Sequence, residues 1–177
     1  MIEKSQVVRQ LTIDEVQDIL LEIESLSDCW GTHRSAGALR YGKTAYLQLI
    51  LSNQFKLRDW AVELSNFDKC PKTHNILQKI ADGRPLGRCY WHRLMPGDKI
   101  EPHDDTALVS TLAGRLAHRY QIYLDSDPNF ILSIDDELIS SEQWEYSIID
   151  FALTKRHYYQ NNSNKPWFLL VFDVLAY

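Results

Sequence analysis

His103 and Asp105 stand two residues apart in the run KIEPHDD, just after a Pro96-Gly97 turn. In an extended chain, residues i and i+2 project from one face, so this imidazole and this carboxylate point the same way while Asp104 points out. A neutral imidazole with a carboxylate is a mixed nitrogen–oxygen donor pair that suits iron(II), and a second imidazole completes a two-histidine, one-carboxylate facial triad. His157, some fifty residues further on in KRHYYQN, is the candidate. Three protein ligands on one face leave three positions open: two for a bidentate oxo acid and one for dioxygen. Taken singly, an HxD is as well explained by a surface loop, and a lone histidine by a hydrogen-bonded core residue, so the surrounding elements decide.

Those elements read as strands. From Gly87 onward, short apolar or alternating runs (RCYWHRLM, KIEPHDD, HRYQIYL, FILSI, EYSIID, KRHYYQN, WFLLVFDVL) are separated by turn signals such as PGD, DSDPN and NSNKP. Strands at short, regular intervals predict a barrel or sandwich. The first half reads mainly as helix. Thr12 and Glu15 form a capping-box pattern, after which Val16, Ile19, Leu20 and Ile23 recur at helical spacing, predicting a helix over 13–26. Weaker patterns predict helices over 57–66 and 73–82, the latter ended by Gly83. The fold expected is α+β: one domain of 177 residues, with helical support over about 1–86 and a jelly-roll, cupin-like double-stranded β-helix over about 87–177.

Composition narrows the function classes. A formal charge of −5 with interspersed signs and no basic run argues against nucleic acid as partner. No segment is apolar enough to span a bilayer or to act as a signal core, so no membrane partner is expected. Cys29, Cys70 and Cys89 form no CxxC pair, which suggests reduced thiols and a cytoplasmic protein. Five Trp and nine Tyr can pack a β-rich core or line a pocket. The loop WGTHRSAGALRYGK lacks a phosphate-loop ending; its His33, Arg34, Arg40 and Lys43 are either a solvated loop or a reach over the barrel mouth toward an acidic substrate.

From Arg88 to Val174 the chain resembles the aspartyl/asparaginyl β-hydroxylase family of iron(II)- and 2-oxoglutarate-dependent oxygenases. Four segments carry the likeness: RLMPGDKIEPHDD, HRYQIYLDSDPN, SEQWEYSIIDF and HYYQNNSNKPWFLLVFD. The resemblance implies iron binding by His103, Asp105 and His157. It further implies that Arg119 meets the carboxylate of 2-oxoglutarate beside the iron, with Gln121 on the same strand face and His92 also facing the co-substrate. The implied activity is a dioxygenase that hydroxylates an unactivated C–H bond of an amino acid or peptide side chain.

One position departs from the family pattern. Relatives carry an arginine ten residues after the distal histidine, whose guanidinium forks onto the far carboxylate of 2-oxoglutarate. Here that position is Trp167, which offers one N–H. Lys165 shares its strand parity and is the first replacement expected, with Lys155 and Arg93 as others. Two rival functions follow: an iron oxygenase that does not use 2-oxoglutarate, and a non-catalytic jelly-roll protein that binds a metal or ligand. Asp173, at the end of the last strand, is expected to accept backbone or tyrosine hydrogen bonds, and Trp144 and Tyr146 to serve as core or pocket wall.

Overall fold

The computed structural model describes residues 5–32, 45–51, 62–63, 68–106 and 116–176. Two antiparallel sheets face each other. The larger contains β1 (Gln6–Gln10), β2 (Gly31–Thr32), β3 (Ala45–Leu51), β4 (Val62–Glu63), β5 (Leu86–Leu94), β7 (Leu116–Tyr123), β10 (Ser147–Asp150) and β12 (Trp167–Leu175). Its order is β1-β10-β7-β12-β5-β3-β2, with β4 on β3. The smaller contains β6 (Lys99–His103), β8 (Phe130–Ile134), β9 (Glu137–Ser140) and β11 (His157–Asn161), in the order β6-β11-β8-β9. This is the jelly-roll arrangement expected.

Side-chain alternation along β12 divides the core in two. Trp167, Leu169 and Val171 face the smaller sheet, where they meet Ile100, Phe130, Leu132 and Tyr159. Leu170, Phe172 and Val174 face the other way, onto α1 (Ile13–Ser25) and α2 (Pro71–Ala81), through Ile19, Ile23, Ile76 and Leu77. The last strand is thus buried on both faces, which is why WFLLVFDVL reads as a nearly continuous apolar run.

The helices are fixed by local chemistry. At the start of α1 the Glu15 amide donates to the Thr12 hydroxyl at 3.2 Å, and the Thr12 amide donates to the Glu15 carboxylate at 3.0 Å. The buried carboxylate of Glu22 in α1 caps α2, accepting from the Lys72 amide (2.6 Å), the Thr73 amide (2.9 Å) and the Thr73 hydroxyl (2.8 Å). Pro71 starts α2 two residues before the expected boundary. The helix stops as Asp82 (φ 50°) and Gly83 (φ 78°) enter the left-handed region.

The N-terminal half is not helical throughout. β1 forms one edge of the large sheet by pairing with β10, and β2, β3 and β4 extend the other edge beyond β5. Val62 and Glu63, inside the stretch expected to be helical over 57–66, form a strand; the rest of that stretch lies outside the described residues. The open edges of β10 and β5 supply backbone partners that no local propensity reveals. Among the described residues no helix is long and apolar enough to cross a membrane.

Candidate metal centre

Strands β6 and β11 lie antiparallel in a register that sets His157 directly opposite His103, with ring centroids 4.3 Å apart. Each ring is oriented by its own backbone. His103 Nδ1 donates to the Glu101 carbonyl at 2.7 Å, and His157 Nδ1 donates to the Lys155 carbonyl at 2.9 Å. A carbonyl can only accept, so Nδ1 of each ring is the donor and Nε2 is the nitrogen left to face a metal. Asp105 follows β6 and is drawn in by its amide, which donates to the Leu153 carbonyl at 3.0 Å. Asp104 points outward and accepts from the Thr106 amide. One donor atom each from His103, Asp105 and His157 lie within 4.8 Å of one another. Two imidazoles and a carboxylate are a donor set that fits iron(II).

Electrostatics keep this set ready. Burial pushes the His157 pKa down to about 4, outweighing the pull of Asp105, so the ring is neutral at pH 7. Burial also acts to raise the Asp105 pKa, but Arg119, His157 and His103 together hold it below the ordinary carboxylate range. The carboxylate is therefore ionised.

Arg119 lines the recess as part of a buried ion-pair chain. Arg119 on β7 sits opposite Asp173 on β12, and it is almost fully buried. Its Nε and Nη2 donate to the two oxygens of Asp173 at 2.7 and 2.9 Å, while Nη1 meets Asp105 at 2.9 Å. Every nitrogen of the guanidinium has a carboxylate partner inside the protein, so the residue orients the Asp105 carboxylate. Burial works against its charge, but Asp105 and Asp173 raise its pKa well above the usual value. Asp173 accepts an arginine fork instead of the backbone or tyrosine bonds expected. Gly87 makes room for it: a Cβ there would lie 2.9 Å from the Asp173 Cβ, at a break in the β5–β12 register.

Below the three candidate ligands a recess runs between the sheets, lined also by Tyr90, His92, Ile100, Gln121, Tyr159, Leu169 and Val171. His92 and Gln121 are thereby brought to the same recess as His103, Asp105, His157 and Arg119. Gln121 Oε1 accepts from the Tyr159 hydroxyl at 2.8 Å and from the Tyr123 hydroxyl. The ring of His92 meets Tyr90 edge-on at 4.9 Å.

Lys165 is placed elsewhere. Its Nζ pairs with Asp125 at 2.7 Å and lies 3.3 Å from the Ser126 carbonyl. Strand parity with Trp167 does not extend to it because β12 begins at Trp167, after Pro166. Lys165 belongs to a turn whose carbonyl accepts from the Asn161 side chain at 2.8 Å. Lys155 pairs with Asp135, and Arg93 lies over the Trp30 ring at 4.6 Å. Trp167 stacks on Phe130 with centroids 4.6 Å apart and planes 7° apart. Trp144 packs against the inter-sheet core, and Tyr146 borders the cluster beneath the helices. His33, Arg34, Arg40 and Lys43 lie outside the described residues.

Tyr90, Tyr123, Tyr159 and Asp173 carry polar groups at or beside the recess that the sequence reading assigned no role there. Two-residue parity with His92 marks Tyr90, and with His157 marks Tyr159. Asp173 is marked by being the one charge in an apolar last strand, which demands a buried partner.

Comparison with known proteins bears on the same residues. The family model described as "Aspartyl/Asparaginyl beta-hydroxylase" matches residues 14–176. Among solved structures, a prolyl-4-hydroxylase from Pseudomonas putida is 12% identical, with a TM-score of 0.59 over 98% of this chain and 92% of that one. A 2OG-Fe(II) oxygenase family oxidoreductase from Burkholderia pseudomallei is 13% identical, with a TM-score of 0.57 over 88% and 78%. A viral collagen prolyl hydroxylase from Paramecium bursaria Chlorella virus-1 is 10% identical, with a TM-score of 0.54 over 99% and 97%. These three share the fold. No curated protein sequence matches the chain.

Proposed function

This chain belongs to the aspartyl/asparaginyl β-hydroxylase family, and we propose that it hydroxylates an unactivated C–H bond of an amino acid or of a peptide side chain. It is a 2-oxoglutarate-dependent oxygenase, and iron(II) and 2-oxoglutarate are the cofactor and co-substrate that this membership brings. When bound, they would supply the activation of dioxygen, the oxidant, with 2-oxoglutarate as a two-electron reductant.

The observation that carries the reading is the meeting of His103, Asp105 and His157 at one recess between the sheets. His103 and His157 would hold iron through Nε2, and Asp105 through a carboxylate oxygen. Arg119 keeps the Asp105 carboxylate turned toward the histidines and neutralises it against Asp173. Ile100, Leu169 and Val171 exclude water from the recess walls, and His92 and Gln121 offer hydrogen bonds to the co-substrate within it. The family's description supports an amino-acid side chain as target. Three free cysteines agree with a reducing, cytoplasmic setting.

The test is anaerobic loading of the protein with iron(II), followed by oxygen-uptake and succinate assays against panels of free amino acids and peptides. Uptake that needs both iron and 2-oxoglutarate, with succinate released, supports the reading. Turnover without succinate would favour an iron oxygenase of another kind, and ligand binding with no turnover a binding protein.

A further inference from the structure

We propose that the far carboxylate of 2-oxoglutarate is received by neutral donors, the Tyr159 hydroxyl and the Gln121 side-chain amide, with no cation of the described residues opposite it. This rests on the reading of the recess as the 2-oxoglutarate pocket.

Depth is the first part of the case. Tyr159 follows His157 by two residues on β11, and Gln121 follows Arg119 by two on β7; both line the recess. A two-residue step along a strand is about 6.6 Å. A five-carbon dicarboxylate that keeps its 2-oxo acid end at the metal ligands sets its other carboxylate roughly one such step deeper.

The chemistry at that depth is the second part. Tyr159 and Tyr123 both direct their hydroxyls at Gln121 Oε1. A hydroxyl rotates about its C–O bond, so the Tyr159 proton can turn to an incoming carboxylate while Tyr123 still satisfies Gln121. Among the described residues no lysine lines the recess, and its one arginine, Arg119, is spent on Asp105 and Asp173. Lys165 does not line the recess; it pairs with Asp125, and its Nζ lies 5.6 Å from the Phe130 ring. A cation rising from position 167 is replaced by the Trp167 ring, 6.0 Å from the Tyr159 ring and 6.3 Å from that of Tyr123. The indole packs against the two tyrosines, so at this depth Tyr159 and Gln121 are the polar groups that line the recess.

Hydrogen bonds from neutral groups to a carboxylate are weaker and less selective than a guanidinium fork. The site should therefore discriminate only modestly between 2-oxoglutarate and a 2-oxo acid that lacks the far carboxylate.

The experiment is anaerobic calorimetric titration of the iron(II)-loaded protein with 2-oxoglutarate and, separately, with pyruvate. Tyr159→Phe keeps the ring and loses the donor; it should weaken 2-oxoglutarate about tenfold and leave pyruvate within about twofold. Gln121→Glu sets an anion beside the far carboxylate and should weaken 2-oxoglutarate more than tenfold, again sparing pyruvate. The proposal is overturned if both variants bind 2-oxoglutarate as the parent does, or if they weaken the two oxo acids equally. If the parent protein binds neither oxo acid, the 2-oxoglutarate reading itself falls and takes the proposal with it.

Discussion

At the metal-ligand end of the recess Asp105, Arg119 and Asp173 are buried and joined in one chain of contacts, with His157 held neutral beside them. Three inward positions down β12, at Trp167, lie two tyrosine hydroxyls, one amide and a stack of aromatic rings; Lys165, paired with Asp125, lies 5.6 Å from the Phe130 ring of that stack. The two regions occupy the same strands, since Asp173 and Trp167 share β12 and Arg119 and Tyr123 share β7. The fold therefore does not decide which end carries charge; the side chains chosen at alternate positions do. A buried charge is tolerated where every donor and acceptor is matched, as at the metal-ligand end. The floor avoids the need for matching by using groups that cost less to bury.

The sharpest way to break this contrast is to remove the cation that joins the two carboxylates. Arg119→Leu leaves the buried Asp105 without its ion-pair partner and Asp173 with Arg88 alone, 3.5 Å away, which should destabilise the protein by about 3–5 kcal/mol in denaturant unfolding. It also frees the Asp105 carboxylate to turn, so iron affinity should fall about 10–100-fold, as losses of groups that orient metal ligands do. A variant as stable as the parent would show that the metal-ligand end is not held by charge matching.

How far these regions are legible from sequence differs in the same way. His103 and Asp105 are readable because two-residue alternation and donor chemistry are local. So is α1, because its capping box is local. The partnership of Arg119 with Asp173 joins residues on different strands through a register that no single stretch encodes. Lys165 misleads because parity is a property of a strand, and Pro166 ends the strand before reaching it. Strands β1 and β3 are hidden for a related reason: what makes them strands is the backbone that β10 and β5 offer them. Fold class survives these errors because it rests on many alternating segments, whereas each residue's role rests on one.

A second measurement tests the neutrality of His157. Its folded pKa is about 4 against an ordinary 6.5, so below pH 6.5 the unfolded chain takes up a proton more readily than the folded one. Stability of the metal-free protein should be fully present above about pH 6.5. It should decline as pH falls toward 4 and level off for this group below that, a loss of about 3 kcal/mol at most. Urea unfolding of the chelator-treated protein across this range, beside His157→Phe, isolates the effect. Equal acid sensitivity in the two proteins would mean that burial does not depress this ring.

The smallest expected effect lies at the floor. Trp167 is almost fully buried, and its indole N–H has no hydrogen-bond partner. Truncating such a residue to alanine opens a large cavity and should cost about 3–5 kcal/mol. Trp167→Phe is different, because two terms oppose. Packing is lost against Phe130, Tyr123 and Tyr159, while an unsatisfied buried donor, a burden of about 1–3 kcal/mol, is removed. The net change in unfolding free energy should be within about 1 kcal/mol. Iron affinity should not move, since no contact connects this ring to the charges at the metal-ligand end except through neutral side chains. A loss above about 3 kcal/mol would show that ring packing dominates the floor outright. A shift in iron affinity would show instead that metal-ligand end and floor are coupled, through Tyr159 and its neighbour in β11, His157.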